Sequence, residues 1–173
     1  MDSIRFIPLD PVADLDRVTD LVRRAGDYMR LETGGADIAA FVQANMNDAP
    51  PVCGPNDIFR RGLERPDGTL AGFANSIRHY PEQGHWYMGL LLLDPAERGK
   101  GLGTRAAQLV LDEARAYGAP CIRIAVLDVN TKARKFWAHM GYEHERTVPG
   151  DQQGDGHKRH VLIQHLKGGP RCA

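Results

Sequence analysis

The stretch at residues 90–116 constrains this 173-residue chain more than any other. It opens with Leu90-Leu91-Leu92-Leu93, an apolar run too short for a buried helix and therefore read as a strand covered on both faces. Asp94-Pro95 ends the run, because proline offers the ladder no N–H and Asp-Pro favours a turn. Gly99, Gly101 and Gly103 follow, interleaved with Arg98, Lys100 and Arg105. Beyond them Leu102, Ala106, Leu109, Val110, Ala114 and Tyr117 recur at helical spacing. A glycine-rich turn that opens a helix is an anion site, because its N–H groups are unpaired and the missing Cβ atoms let a phosphate approach. The flanking cations add charge-assisted hydrogen bonds. This stretch is expected to hold phosphates.

Two familiar phosphate patterns do not account for it. The P-loop needs Gly-x4-Gly-Lys-Ser/Thr, and that spacing does not occur. Gly101-x-Gly103-x-x-Ala106 formally matches a dinucleotide fingerprint, but seven residues separate it from its strand and the acidic residue expected about 20 positions on is lacking.

A third pattern fits. Arg98-Gly99-Lys100-Gly101-Leu102-Gly103 resembles the Gln/Arg-x-x-Gly-x-Gly/Ala segment of the GNAT family (GCN5-related N-acetyltransferases), which cradles the pyrophosphate of coenzyme A. Leu93-Asp94-Pro95 is similar to that family's Val-x-Pro strand ending. Asn130-x-x-Ala133-x-x-Phe136-Trp137-x-x-x-Gly141-Tyr142 resembles its second signature. The firm resemblance covers residues 84–145 and implies an α/β (α+β) fold. That fold has a central mixed, mostly antiparallel seven-stranded sheet, splayed between strands 4 and 5 and flanked by about four helices. Residues 1–167 are expected to form the single domain and 168–173 a disordered tail.

The element order read from the residues agrees with that fold. Strand 4–9 precedes helices 11–25 and 36–45, then strands 58–64, 69–79 and 85–93. Pro66-Asp67-Gly68 makes the first two of these a hairpin. After the glycine turn and its helix come a strand around 122–126, a helix from Asn130/Thr131 to Met140, and strands 143–148 and 158–166. Residues 26–34, 47–56 and 149–156 read as loops and, by family architecture, carry acceptor specificity, with Tyr28 as a substrate-lining aromatic.

The resemblance implies acetyl-CoA as cosubstrate and a primary amine as acceptor, either a small molecule or a peptide N-terminus. Backbone groups of Leu91, Leu92 and Leu93 would pair with the pantetheine arm, and one N–H there would polarise the acetyl carbonyl. Arg98, Gly99, Lys100, Gly101, Leu102, Gly103 and Thr104 would hold the pyrophosphate, with Asn130 and Trp137 on the opposite wall. Where many members carry a tyrosine acid this chain has Trp137, and where some carry a glutamate base it has Ala125. An indole N–H does not ionise usefully. His85, with Glu82 acting through water, is therefore the candidate base at the head of the strand entering the cleft. Weak acid–base machinery is penalised least with low-pKa amines: neutralising an amine of pKa about 10.4 at pH 7 costs about 4.6 kcal/mol, and one near 8 about 1.4. The second reading from the sequence is a GNAT-like coenzyme A-binding sensor without turnover.

Charge and cysteine content set outer bounds. The 22 basic and 22 acidic residues balance, so neither nucleic acid nor an anionic membrane is an expected partner. No apolar run approaches a membrane span. Cys53, Cys121 and Cys172 are odd in number and lack Cys-x-x-Cys spacing, so reduced thiols and a cytoplasmic location are expected. His139, His144, His157, His160 and His165 show no ligand spacing, so no metal is expected. A homodimer is compatible with this sequence.

Overall fold

The chain runs β1 (Arg5–Pro8), α1 (Leu15–Arg24), α2 (Gly26–Thr33), α3 (Ile38–Asn47), β2 (Ile58–Glu64), β3 (Leu70–Arg78), β4 (Trp86–Leu93), α4 (Leu102–Ala116), β5 (Cys121–Leu127), α5 (Thr131–His139), β6 (Glu143–Val148) and β7 (Arg159–His165). It is described by a computed structural model at residues 3–35, 37–150, 156–166 and 172. All seven strands join in one sheet of order β1-β2-β3-β4-β5-β7-β6. Every neighbouring pair is antiparallel except β4 with β5, which is parallel. This is the mixed sheet that the resemblance implies.

Helices cover both faces. Val110 and Leu111 of α4 and Trp137 of α5 pack with Trp86, Met88 and Ile122 on one side. Leu21, Val22 and Met46 of α1 and α3 pack with Phe73, Leu90 and Leu92 on the other. Trp86 and Phe73 are fully buried, each contributing roughly 1.5–3 kcal/mol of transfer free energy.

The four-leucine run divides between these cores. Regular alternation would send Trp86, Met88, Leu90 and Leu92 to one face. Instead Leu90 and Leu92 lie with α1–α3, whereas Leu91 packs with Trp86 and Met88. The cause is a bulge: Asn75 pairs with Leu90 and Ser76 with Met88, so Gly89 has no partner on β3. A Cβ at Gly89 would run into the Asn75 amide.

Among the described residues there are five helices where about four were expected, because residues 26–34 include a helix. Gly34, which reads as a breaker, is the left-handed C-cap of α2 at φ +69°. Its N–H donates to the Arg30 carbonyl at 3.1 Å, and the Gly35 N–H donates to that of Met29 at 3.3 Å. The next helix starts two residues later than expected because Asp37 caps it, accepting from the N–H groups of Ala39 and Ala40 at 2.9 and 3.2 Å.

The cysteines also differ from expectation. Cys121 and Cys172 form a disulfide, and Cys53 is free. Strand β7 returns antiparallel to β5 with His165 opposite Cys121, and the Leu166 N–H donates to the Pro120 carbonyl at 2.8 Å. The end of the chain is thereby delivered to the start of β5, a proximity that sequence spacing does not reveal. The pairing removes the thiol-based case for a reducing compartment. Among the described residues no helix is long and apolar enough to cross a membrane. The tail expected at 168–173 lies outside the described residues except for Cys172.

Candidate active site

The parallel ladder between β4 and β5 is short: Trp86 pairs with Ile122, Tyr87 with Arg123 and Met88 with Ile124, and there it stops. Beyond Met88 the strands part around a cleft of about 890 Å³. Gly89–Leu93 forms one wall, and residues 124–127 form the other. Strand edges that part in this way present backbone N–H and C=O groups to whatever enters.

At the open end the chain turns into α4. Asp94, almost buried, fixes this exit: its carboxylate accepts from the Ala96 N–H at 2.9 Å and from Arg65 at 2.8 Å, and it is also paired with Arg24. Gly99 and Gly101 adopt φ +75° and +81°, a left-handed conformation that side chains disfavour. A Cβ at either would meet nothing, so the backbone there borders open space. Gly101 is the N-cap of α4 and has no side chain with which to cap the first-turn N–H groups. Gly103 serves packing instead: a Cβ there would lie 3.3 Å from Leu93 and 3.6 Å from Phe136.

Of the residues expected to bind cofactor, Leu91, Leu92, Leu93, Arg98, Gly99, Gly101, Gly103, Thr104, Asn130 and Trp137 line the cleft. Lys100 and Leu102 do not; Lys100 is exposed and paired with Glu97, and Leu102 is buried against Leu63 and Ala106. Arg98 is already engaged, donating to Asp27 of α2 at 3.1 Å and to the Leu93 carbonyl at 3.3 Å. That bond to Arg98 holds the Asp27 carboxyl below its ordinary range. Asn130 caps α5 by accepting from the Ala133 N–H at 3.1 Å, so its oxygen is committed and its NH2 is the group it can offer across the cleft.

The expected acid–base pair sits elsewhere. Glu82 and His85 are not among the cleft-lining residues. His85 precedes the part of β4 that still pairs with β5, which puts it at the closed end of the splay. It is buried, with Nδ1 2.9 Å from the guanidinium of Arg123, and Glu82 is 3.9 Å from its Nε2. Burial, with the Arg123 charge second, pushes the His85 pKa down. A guanidinium can only donate, so Nδ1 is the acceptor in this contact. Arg123, 2% exposed, also donates to Glu145 at 2.7 Å. His85 and the two sulfurs of Cys121 and Cys172 lie within 4.8 Å of one another. Those sulfurs are bonded to each other and Arg123 adds positive charge, so the trio is poorly suited to a cation.

The side of the cleft away from α4 is built by α2, β4 and β7 through Tyr28, Leu31, Glu32, Tyr87 and Arg159. Tyr28, expected here, lies 3.4 Å from the Glu32 carboxylate, and its hydroxyl pKa is raised by burial first and by Glu32 second. Burial likewise raises that of Tyr87. Tyr87 and Arg159 were not singled out from the sequence. Tyr87 was within reach of the strand's period, since it points opposite to Trp86 and Met88. Arg159 had no local signal.

The geometry has counterparts among known proteins. Residues 58–142 match the model of the acetyltransferase (GNAT) family. No curated protein matches the sequence. A GCN5-related N-acetyltransferase from Kribbella flavida is similar in structure, with TM-score 0.70 and 23% identity over 95% of this chain and 99% of that one. The ribosomal-protein-S18-alanine N-acetyltransferase from Escherichia coli gives TM-score 0.71 and 13% identity over 96% of each chain. An aminoglycoside 6'-acetyltransferase type Ii gives 0.70 and 19%, over 96% of this chain and 99% of that one. With both signatures on the α4/α5 face of a sheet splayed between β4 and β5, this chain has the GNAT fold, and its residues 58–142 carry the match to the acetyltransferase (GNAT) family.

Proposed function

We propose that the protein is an N-acetyltransferase that moves the acetyl group of acetyl-CoA directly to a primary amine of a small molecule or a peptide N-terminus. The observation that carries this reading is the opened β4/β5 pair ending in the left-handed turn at Gly99 and Gly101. The fit is physical. Unpaired N–H groups at the start of α4 suit a diphosphate, the parted strand edges suit an amide-bearing arm, and no side chain fills the turn.

The cosubstrate supplies the activated acetyl thioester. Backbone amides at Gly99, Gly101 and Thr104 bind its diphosphate, and the edge of Leu91–Leu93 aligns the arm. One N–H along Leu91–Leu93 would polarise the acetyl carbonyl and support developing negative charge. Trp137 packs against Phe136 and Tyr142 and keeps the thioester end dry.

Positioning is the main contribution, worth about 7–11 kcal/mol, against roughly 3–5 kcal/mol for general acid–base help. The departing thiol, of pKa near 8.5, leaves as a thiolate at small cost, so an indole at position 137 is tolerable. We assign no proton-transfer step to His85 or Glu82, since neither borders the cleft. Incubation with acetyl-CoA, a thiol reagent and a panel of amines tests the reading. Thiol release that depends on an amine is expected; coenzyme A binding without release from any amine would favour the sensor module.

A further inference from the structure

Glu32 on α2 and Arg159 on β7 face each other across the mouth of the splay, with N···O 3.1 Å. Helix α2 packs over the β4 side, where Met29 joins Leu90 and Leu92, and β7 lies beyond β5. The ion pair therefore joins the two halves of the sheet over the cleft that separates them. Both side chains line that cleft, at 21% and 27% exposure. The other charged pair on this wall, Asp27 with Arg98, belongs to the glycine-turn end.

A carboxylate and a guanidinium paired inside a substrate cleft form a template for a ligand carrying the complementary two charges. Resting on the acetyltransferase reading, we infer that the acceptor is a zwitterionic amine, an amino acid or short peptide, whose ammonium replaces Arg159 on Glu32 and whose carboxylate replaces Glu32 on Arg159.

The exchange trades one ion pair for two. Partly exposed pairs contribute little, so opening this one is inexpensive, and an arginine fork suits bidentate capture of a carboxylate. An amine without a carboxylate would open the same pair and leave Arg159 unmatched. Tyr28, beside Glu32, supplies an apolar ring and a hydroxyl next to the ammonium. The peptide form of this acceptor agrees best with the chemistry left to the cleft, since a site without an evident base is penalised least by a peptide α-amine near pKa 8. In the balanced step the ammonium sheds one proton to water at the open mouth, and the neutral nitrogen forms the C–N bond as the C–S bond breaks. The second amine proton goes to solvent as the thiolate departs.

The test compares matched acceptors with the full chain and acetyl-CoA: an amino acid, its carboxamide and its decarboxylated amine, with a dipeptide and its amide as a second set. The wild type should favour carboxylate-bearing acceptors by about 10–100-fold in kcat/KM, mostly through KM. Arg159→Gln should bring acid and amide within about 3-fold of each other, and Arg159→Lys should restore part of the preference. Glu32→Gln should raise KM for every amine while the preference for the acid persists. Calorimetry of amino acid and amide on the coenzyme A complex should show the same ranking. The free amino acid set and the dipeptide set tell the two acceptor sizes apart. Turnover with equal rates for acid and amide, unchanged in Arg159→Gln, would overturn the inference and leave the acetyltransferase reading standing. No turnover with any amine would instead bring down that reading, and this inference with it.

Discussion

The two sides of the cleft are made of different materials. The α4 side is backbone: a bulge at Gly89, left-handed glycines at 99 and 101, a helix start, and strand edges that have parted. The α2/β7 side is side chain: Tyr28, Glu32, Tyr87 and Arg159 from three separate elements. A backbone site binds what is common to every turnover, because main-chain groups are the same whatever residues drift around them. A side-chain site can be rewritten by single substitutions, and it is there that we propose acceptor choice resides. The closed end of the splay is a third environment, in which Arg123 is sealed with His85 and Glu145. This division between fold-holding and ligand-holding groups can be broken by experiment.

The largest effect is expected at the closed end. Arg123→Ala leaves Glu145 only its exposed partner Arg146 and opens a cavity beside His85, which together should cost about 3–5 kcal/mol of stability in denaturant titration. Coenzyme A affinity in the surviving folded fraction should stay within about 3-fold of wild type. A large loss of affinity at unchanged stability would erase the distinction between the two ends.

At the open end the pattern inverts. Gly101→Glu forces a side chain into φ +81° and adds a negative charge to the cradle, so coenzyme A should bind at least about 100-fold more weakly, roughly 2.7 kcal/mol. The fold itself should lose only about 1–2 kcal/mol.

Acid sensitivity comes next. Because the folded His85 pKa lies below its ordinary value of 6.5, the unfolded chain binds the proton first as pH falls. His85 therefore contributes nothing unfavourable above about pH 6.5, and stability is lost as pH drops below it. His85→Gln should flatten that part of the stability–pH curve while leaving the pH dependence of acetyl transfer unchanged. A change in the rate profile alone would return His85 to the chemistry.

The smallest effect concerns the tether between the two sides. Asp27→Asn releases Arg98 from an exposed pair worth about 0.2–1 kcal/mol, and coenzyme A affinity should rise about 2–5-fold. A fall in affinity would mean that Asp27 orders Arg98 for the cofactor instead of competing for it.

The same contrast explains what could be read in advance. The glycine turn was legible because left-handed and close-packed backbone positions leave a residue-type imprint, and the Leu90–Leu93 run is a strand in any context. The hairpin at Pro66-Asp67-Gly68 and the cap at Asn130 were legible for the same local reason. Helix α2 was not, since its bracketing glycines Gly26 and Gly34 look like loop punctuation until the left-handed cap is seen. His85 was misplaced because sequence order puts it beside the cleft strand without saying at which end the strands part. Arg159, and the pairing of Cys121 with Cys172, depend on β7 returning beside β5, a long-range register that no local pattern carries.

Hydrogen exchange on the full chain, with and without coenzyme A, tests the central claim most directly. The account predicts slowed exchange for amides at residues 89–93 and 99–104, and little change at residues 85 and 121–123. Protection concentrated at the closed end, or no protection at the glycine turn under saturating coenzyme A, would contradict it.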